Sequence, residues 1–168
     1  MKRWMSAAVL VCGIALSNPT QASYPEGLVA YDGGQFDSAL REFRTLAQRG
    51  HPGAEFMLGV MYFNGFGVER NQVIAAIYFR QAAEQGDAGA QLAFGSLHVR
   101  GVGVVQDLVE ARKWLTLCTR SNEVPALAKQ ATAMLAATAS LMTPDEIIRA
   151  DRGAERWRPV RPGLVRAP

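Results

Sequence analysis

Few side chains in this 168-residue chain have the types and spacing that chemistry requires. Its two histidines, His51 and His98, stand 47 positions apart. No His-x-x-His or Cys-x-x-Cys pair accompanies them, so a zinc-type ligand set is not provided. The two cysteines are Cys12 and Cys118. Cys118 falls in an apolar helical pattern, where a free thiol behaves as a small hydrophobe rather than a nucleophile. No Gly-x-Ser-x-Gly elbow occurs, so an esterase-type serine has no support. Gly65-x-Gly67 and Gly101-x-Gly103 have the outline of a phosphate loop. They follow helical rather than strand patterns, however, and neither a Lys-Ser/Thr pair nor a third Gly comes after them. Asp145 and Glu146 belong to a first helical turn, where capping and the helix dipole account for carboxylates. The expectation is a chain that binds rather than reacts, with no catalytic residue, no metal and no cofactor.

The elements that would position binding side chains are repeats. Shifting the sequence by 36 places Ala54, Gly59, Gly65, Gly67, Val68 and Ala75 on Ala90, Gly95, Gly101, Gly103, Val104 and Ala111, with Asn71 on Asp107 and Tyr78 on Trp114. The opposite shift places Ala75, Phe79, Ala83 and Gly86 on Ala39, Phe43, Ala47 and Gly50. The first half of the earliest unit matches poorly. Each unit reads as two helices. Asp87 caps one from about Ala88 to His98, and Gly101 and Gly103 break it. Asp107 then caps a second, with Glu110 at capping-box spacing, carrying Leu108, Ala111, Trp114, Leu115 and Cys118 at helical period. Asn71 caps the corresponding helix one unit earlier, where Ile74 leaves only half a box.

The segments Ala54-x-x-x-Leu58-Gly59-x-x-Tyr62-x-x-Gly65-x-Gly67-Val68 and Ala75-x-x-Tyr78-x-x-x-Ala82-Ala83-x-x-Gly86 resemble the Sel-one-like repeat, a relative of the tetratricopeptide repeat. The next unit departs from that pattern with Phe94 for Leu, His98 for Tyr and Asn122 for the terminal Gly. The first unit is closer to a tetratricopeptide repeat, through Tyr31, Gly34, Phe36, Ala39, Phe43 and Ala47. The resemblance implies an all-α fold, a short right-handed α-solenoid of helix–turn–helix repeats. Its units would span about 24–50, 51–86 and 87–124, within a domain of 23–157. Each hairpin buries its apolar face only against a neighbour, so such arrays need end caps. Residues 125–157 supply them. Pro125 to Met142 is Ala-rich and helical, and Thr143-Pro144-Asp145-Glu146 opens another helix with a capping box and Ile147, Ala150, Ala154 and Trp157 on one side.

The same resemblance implies that the first helix of each hairpin lines a groove. The helix from Ala54 to Phe63 is apolar nearly all round. Its core should use Leu58, Met61 and Tyr62. Met57, Val60 and Phe63 are surplus: they either meet neighbouring helices or face the groove as an adaptable apolar strip. Asn64, Ser96 and Arg100 would add polar contacts there, with Arg100 suited to a carboxylate.

Residues 1–22 read as a secretory signal peptide. Lys2 and Arg3 form the n-region, Trp4 to Leu16 an uncharged apolar stretch, and Thr20-Gln21-Ala22 the cleavage site. The stretch is shorter than the roughly 20 apolar residues of a membrane-spanning helix. Cys12 is filler within it, which leaves Cys118 without a disulfide partner. The whole chain carries 18 basic and 15 acidic residues. Removing Lys2 and Arg3 leaves 16 basic residues and a net charge of +1, which does not suggest a nucleic-acid partner. Residues 158–168 carry three Pro, one Gly and three Arg, the composition of a disordered basic tail. Its Arg residues offer a handle for an anionic envelope component, beside the plainer reading of a solvated terminus. The expected role is an exported, non-enzymatic module in a bacterial periplasm or secreted from the cell, with no stable membrane insertion, that holds a protein or peptide in its groove. The alternatives are an enzyme acting on a wall polymer or antibiotic, as has been suggested for some exported relatives, and a structural subunit of an envelope assembly. Those relatives tend to carry a Cys pair in each repeat, which is absent here.

Overall fold

Three capping side chains set the helix starts of the central units. Asn71, Asp87 and Asp107 each accept hydrogen bonds from backbone N–H groups two or three residues on, at 2.7–3.0 Å. The computed structural model describes residues 22–121 and 124–160. The expected signal peptide, apart from Ala22, Asn122 and residues 161–168 of the expected tail lie outside them. Eight helices occur among the described residues, and no strand: α1 Tyr24–Asp32, α2 Phe36–Ala47, α3 Pro52–Asn64, α4 Gln72–Glu84, α5 Ala88–Arg100, α6 Leu108–Arg120, α7 Pro125–Ala139 and α8 Pro144–Arg156. The first six form three successive hairpins. None of the helices is long and apolar enough to cross a membrane.

Glycines let the hairpins close. A methyl group at Gly59 would meet the Phe79 ring at 2.6 Å, and one at Gly95 would meet Leu115 at 2.9 Å. Small residues at these points allow the two helices of a hairpin to approach with an aromatic or Leu seated on the backbone. Gly27 does the same for Phe43, at 2.6 Å. Gly27 precedes Gly59 by 32 positions rather than 36, because the α1–α2 turn is four residues shorter than the α3–α4 loop. This is why the earliest half-unit fails to match at the common period.

The loops also join one unit to the previous one. Gly67, in the α3–α4 loop, abuts the backbone of Phe36 at the start of α2. Gly103, in the α5–α6 loop, abuts the carbonyl of Gln72 at the start of α4. Around the first contact Phe36 and Phe66 stack with ring centres 4.8 Å apart, with Tyr31 edge-on to both.

The core is interleaved along the array. Leu40, Phe43, Leu46, Met57, Leu58 and Met61 form one buried cluster between the first two units. Ala75, Phe79, Ala83, Phe94, Leu97 and Trp114 form the next, which Ala154 of α8 completes. Leu92, Leu115, Cys118 and Ala131 form a third beneath α7. Both capping helices pack on α6. The Thr143–Glu146 capping box forms as expected, and Arg112 of α6 holds Asp151 of α8 through two bonds of 2.9 and 3.1 Å.

Two local expectations change. Asp107 caps α6, but Glu110 does not complete a box. Its carboxylate instead accepts from Lys113 Nζ at 2.6 Å and from Trp114 Nε1 at 3.0 Å, because the indole N–H of a buried Trp needs a partner. The ordered chain also continues past the expected boundary at Arg158. The Val160 N–H donates to the Glu84 carbonyl at 2.8 Å, and Trp157 and Pro159 lie over Gly86.

Candidate functional site

A depression of about 130 Å³ opens between α3 and α5. Val60, Phe63 and Asn64 line it from α3, and Ala93, Ser96, Leu97 and Arg100 from α5. Phe79 of α4 forms part of its floor. Helical spacing explains the two walls, since residues three and four apart share a face. Asn64 donates to the Val60 carbonyl at 2.9 Å, and Arg100 Nε donates to the Ser96 carbonyl at 3.3 Å. These bonds hold both polar side chains along their own helices at the exposed rim. The Arg70 guanidinium lies 6.0 Å from the centre of the Phe63 ring.

The structure therefore brings together five residues singled out in the sequence: Val60, Phe63, Asn64, Ser96 and Arg100. Met57 is a correction. It is 8% exposed and packs with Leu40, Phe43 and Leu46 against the first unit. The counterpart of Met57 one repeat later is Ala93, which lines the depression. A long side chain fills this position in one unit, and a methyl group leaves it open in the next. Phe79, Ala93, Leu97 and Arg70 were not anticipated. Ala93 and Leu97 share a helical face with Ser96 and Arg100, a signal already in the sequence. Phe79 reaches the floor from a different helix, which periodicity alone does not reveal.

The lining offers apolar walls, a guanidinium, a carboxamide and one hydroxyl, a set suited to recognition. The histidines lie elsewhere. His51 Nδ1 accepts from the Ala54 N–H at 3.2 Å and caps α3, with its ring stacked on Tyr24. His98 packs edge-on against Phe94. No group of His, Cys, Asp and Glu among the described residues could hold a metal ion.

Buried polar groups and a larger cavity lie at two other places. Glu55 is 6% exposed and accepts from Gln85 Nε2 at 2.6 Å. Burial raises its carboxyl to about 7, against the lowering effect of the Gln85 bond, and Glu84 adds to the rise. Gln85 Oε1 is buried without a partner among the described residues. A cavity of about 370 Å³ lies where the ends of α4, α6 and α8 meet, lined among others by Gln91, Leu117, Arg120, Trp157 and Arg158. Arg120 there is engaged by the Ala154 carbonyl at 3.1 Å.

The Sel1 repeat family matches residues 52–87 and 88–117, which hold the α3–α4 hairpin and most of the α5–α6 hairpin. Among solved structures, the chain is similar to a protective antigen of uropathogenic Escherichia coli that displays an SLR fold, with 28% identity and a TM-score of 0.69 over 78% of this chain and 28% of that one. It is also similar to a Sel1 repeat protein from Oxalobacter formigenes, with 28% identity and a TM-score of 0.63 over 81% of this chain and 56% of that one. The chain thus spans about a quarter and about half of these proteins' lengths. No curated protein matches it.

Proposed function

We propose that this chain, which carries two Sel1 repeats, is an exported, non-enzymatic interaction module that holds a segment of another protein between α3 and α5. Sel1 repeats mediate protein–protein interactions. The observation that carries the reading is the depression itself: Val60, Phe63 and Ala93 offer apolar surface, over buried Leu97, beside the exposed polar groups of Asn64 and Arg100. An apolar hollow with a polar rim is the anatomy of a recognition site. Export rests on the n-region, apolar stretch and cleavage site of residues 1–22.

A photo-crosslinking amino acid placed at Ser96 in cells tests the groove. The expected result is a discrete protein adduct that falls about tenfold when Ala93→Met fills the hollow, since central contacts dominate binding. An adduct of equal yield in both proteins, or none, would overturn the groove as the site. Fractionation of the same cells with N-terminal sequencing tests export, and a mature protein beginning at Ser23 is expected. Retention of residues 1–22 in the cytoplasmic fraction would overturn it.

A further inference from the structure

Resting on the groove reading above, we infer that the segment it takes carries an acidic side chain two residues from an aliphatic one. The hollow is small. A cavity of about 150 Å³ accepts a benzene-sized group, so about 130 Å³ takes one Leu, Ile or Met side chain and no more. The rest of the recognition must come from the rim, and the rim is cationic. Arg100 spends one N–H on the Ser96 carbonyl. Arg70 lies over Phe63. Neither has a carboxylate partner within ion-pair distance among the described residues. The lining itself contains no acidic residue. An unpaired guanidinium beside an apolar hollow matches a carboxylate, through its two-pronged geometry.

The spacing follows from the helix. Arg100 lies one turn beyond Ser96, about 6 Å along α5. A carboxylate two residues from the anchoring side chain in an extended peptide spans about the same distance. The C-terminal end of α5 bears partial negative charge, which the Arg100 guanidinium in its last turn counters.

Fluorescence anisotropy with three end-blocked, fluorescein-labelled decapeptides tests this on the full chain. One carries Leu-x-Glu in an otherwise Gly/Ser sequence, the second Leu-x-Lys and the third Ser-x-Glu. The Leu-x-Glu peptide should bind about tenfold tighter than either of the others. Arg100→Glu should reverse the preference between Glu and Lys, and raising the salt to 0.5 M should weaken only the Glu peptide, as expected of a rim charge pair. Equal binding of the Glu and Lys peptides, both lost in Ala93→Met, would overturn the acidic requirement and leave the groove reading standing. No binding of the Leu-x-Glu peptide would overturn the inference, while the Ser96 crosslink independently decides the groove.

Discussion

A buried carboxyl that titrates near 7 is half ionised at neutral pH, and Glu55 is such a group. Its folded value lies above the ordinary 4.5, so the folded state binds the extra proton more tightly than the unfolded one. The stabilisation is therefore complete below about 4.5 and is lost as pH rises through about 7, with a span of roughly 3 kcal/mol at most. Urea melts of the wild type should show stability falling between pH 5 and 8. Glu55→Gln should flatten that profile and be the more stable protein at pH 8; a parallel profile in both would overturn the assignment. Cys118 gives a second test at this scale. It is 0% exposed, and burial with the nearby Asp87 raises its thiol. In a Cys12→Ser background, a thiol-exchange dye should label it only as fast as the native state opens. Immediate labelling at the rate of a free thiol would show that the α5–α6–α7 cluster is not closed. Sequence reading grouped Val60, Phe63, Asn64, Ser96 and Arg100 because the resemblance lines a groove with the first helix of each hairpin and helical period puts them on shared faces. It misplaced Met57 because Met57 and Ala93 share a register position, and only packing against the first unit decides which of the two is covered.

Among the elements, the loops differ in how tightly they are held. Gly34 and Gly103 both have positive φ, 71° and 67°. An added methyl at Gly34 would meet nothing within 4 Å, whereas at Gly103 it would collide with the Gln72 backbone. Gly34→Ala should therefore cost only the left-handed strain, about 1 kcal/mol. Gly103→Ala should cost about 3 kcal/mol, strain plus overpacking against a backbone that cannot yield. Denaturant midpoints at constant slope would measure both, and equal losses would mean that the loop moves freely. The helix starts were legible because Asn71, Asp87, Asp107 and Thr143 are cap residues at the head of apolar periods. The pairing of Glu110 was not legible, since Trp114 competes with the box from one turn further on. Nor was the inter-unit contact of Gly103, since the residue it touches lies 31 positions back and has no motif of its own.

For the whole molecule, the C-terminal helix does more than end the array. Trp157 meets Trp114 edge-on with ring centres 6.5 Å apart, and Ala154 enters the central cluster. Trp157→Ala should cost about 2 kcal/mol, lowering the thermal midpoint by roughly 8 °C in a far-UV circular dichroism melt. An unchanged midpoint would show α8 to be a passenger. The repeat architecture was readable from the 36-residue period, but the return of α8 across α6 to the end of α4 was not. No repeat signal encodes it, and the contacts that fix it join residues far apart in the chain. The glycine loops carry one last consequence. Gly67 bears on the start of α2, and Gly103 on the start of α4. In both cases the seat lies earlier in the chain than its occupant. A polypeptide made N-terminus first therefore lays down each seat before the loop that occupies it. Contacts between units can then be completed in chain order, each hairpin closing on the one before it.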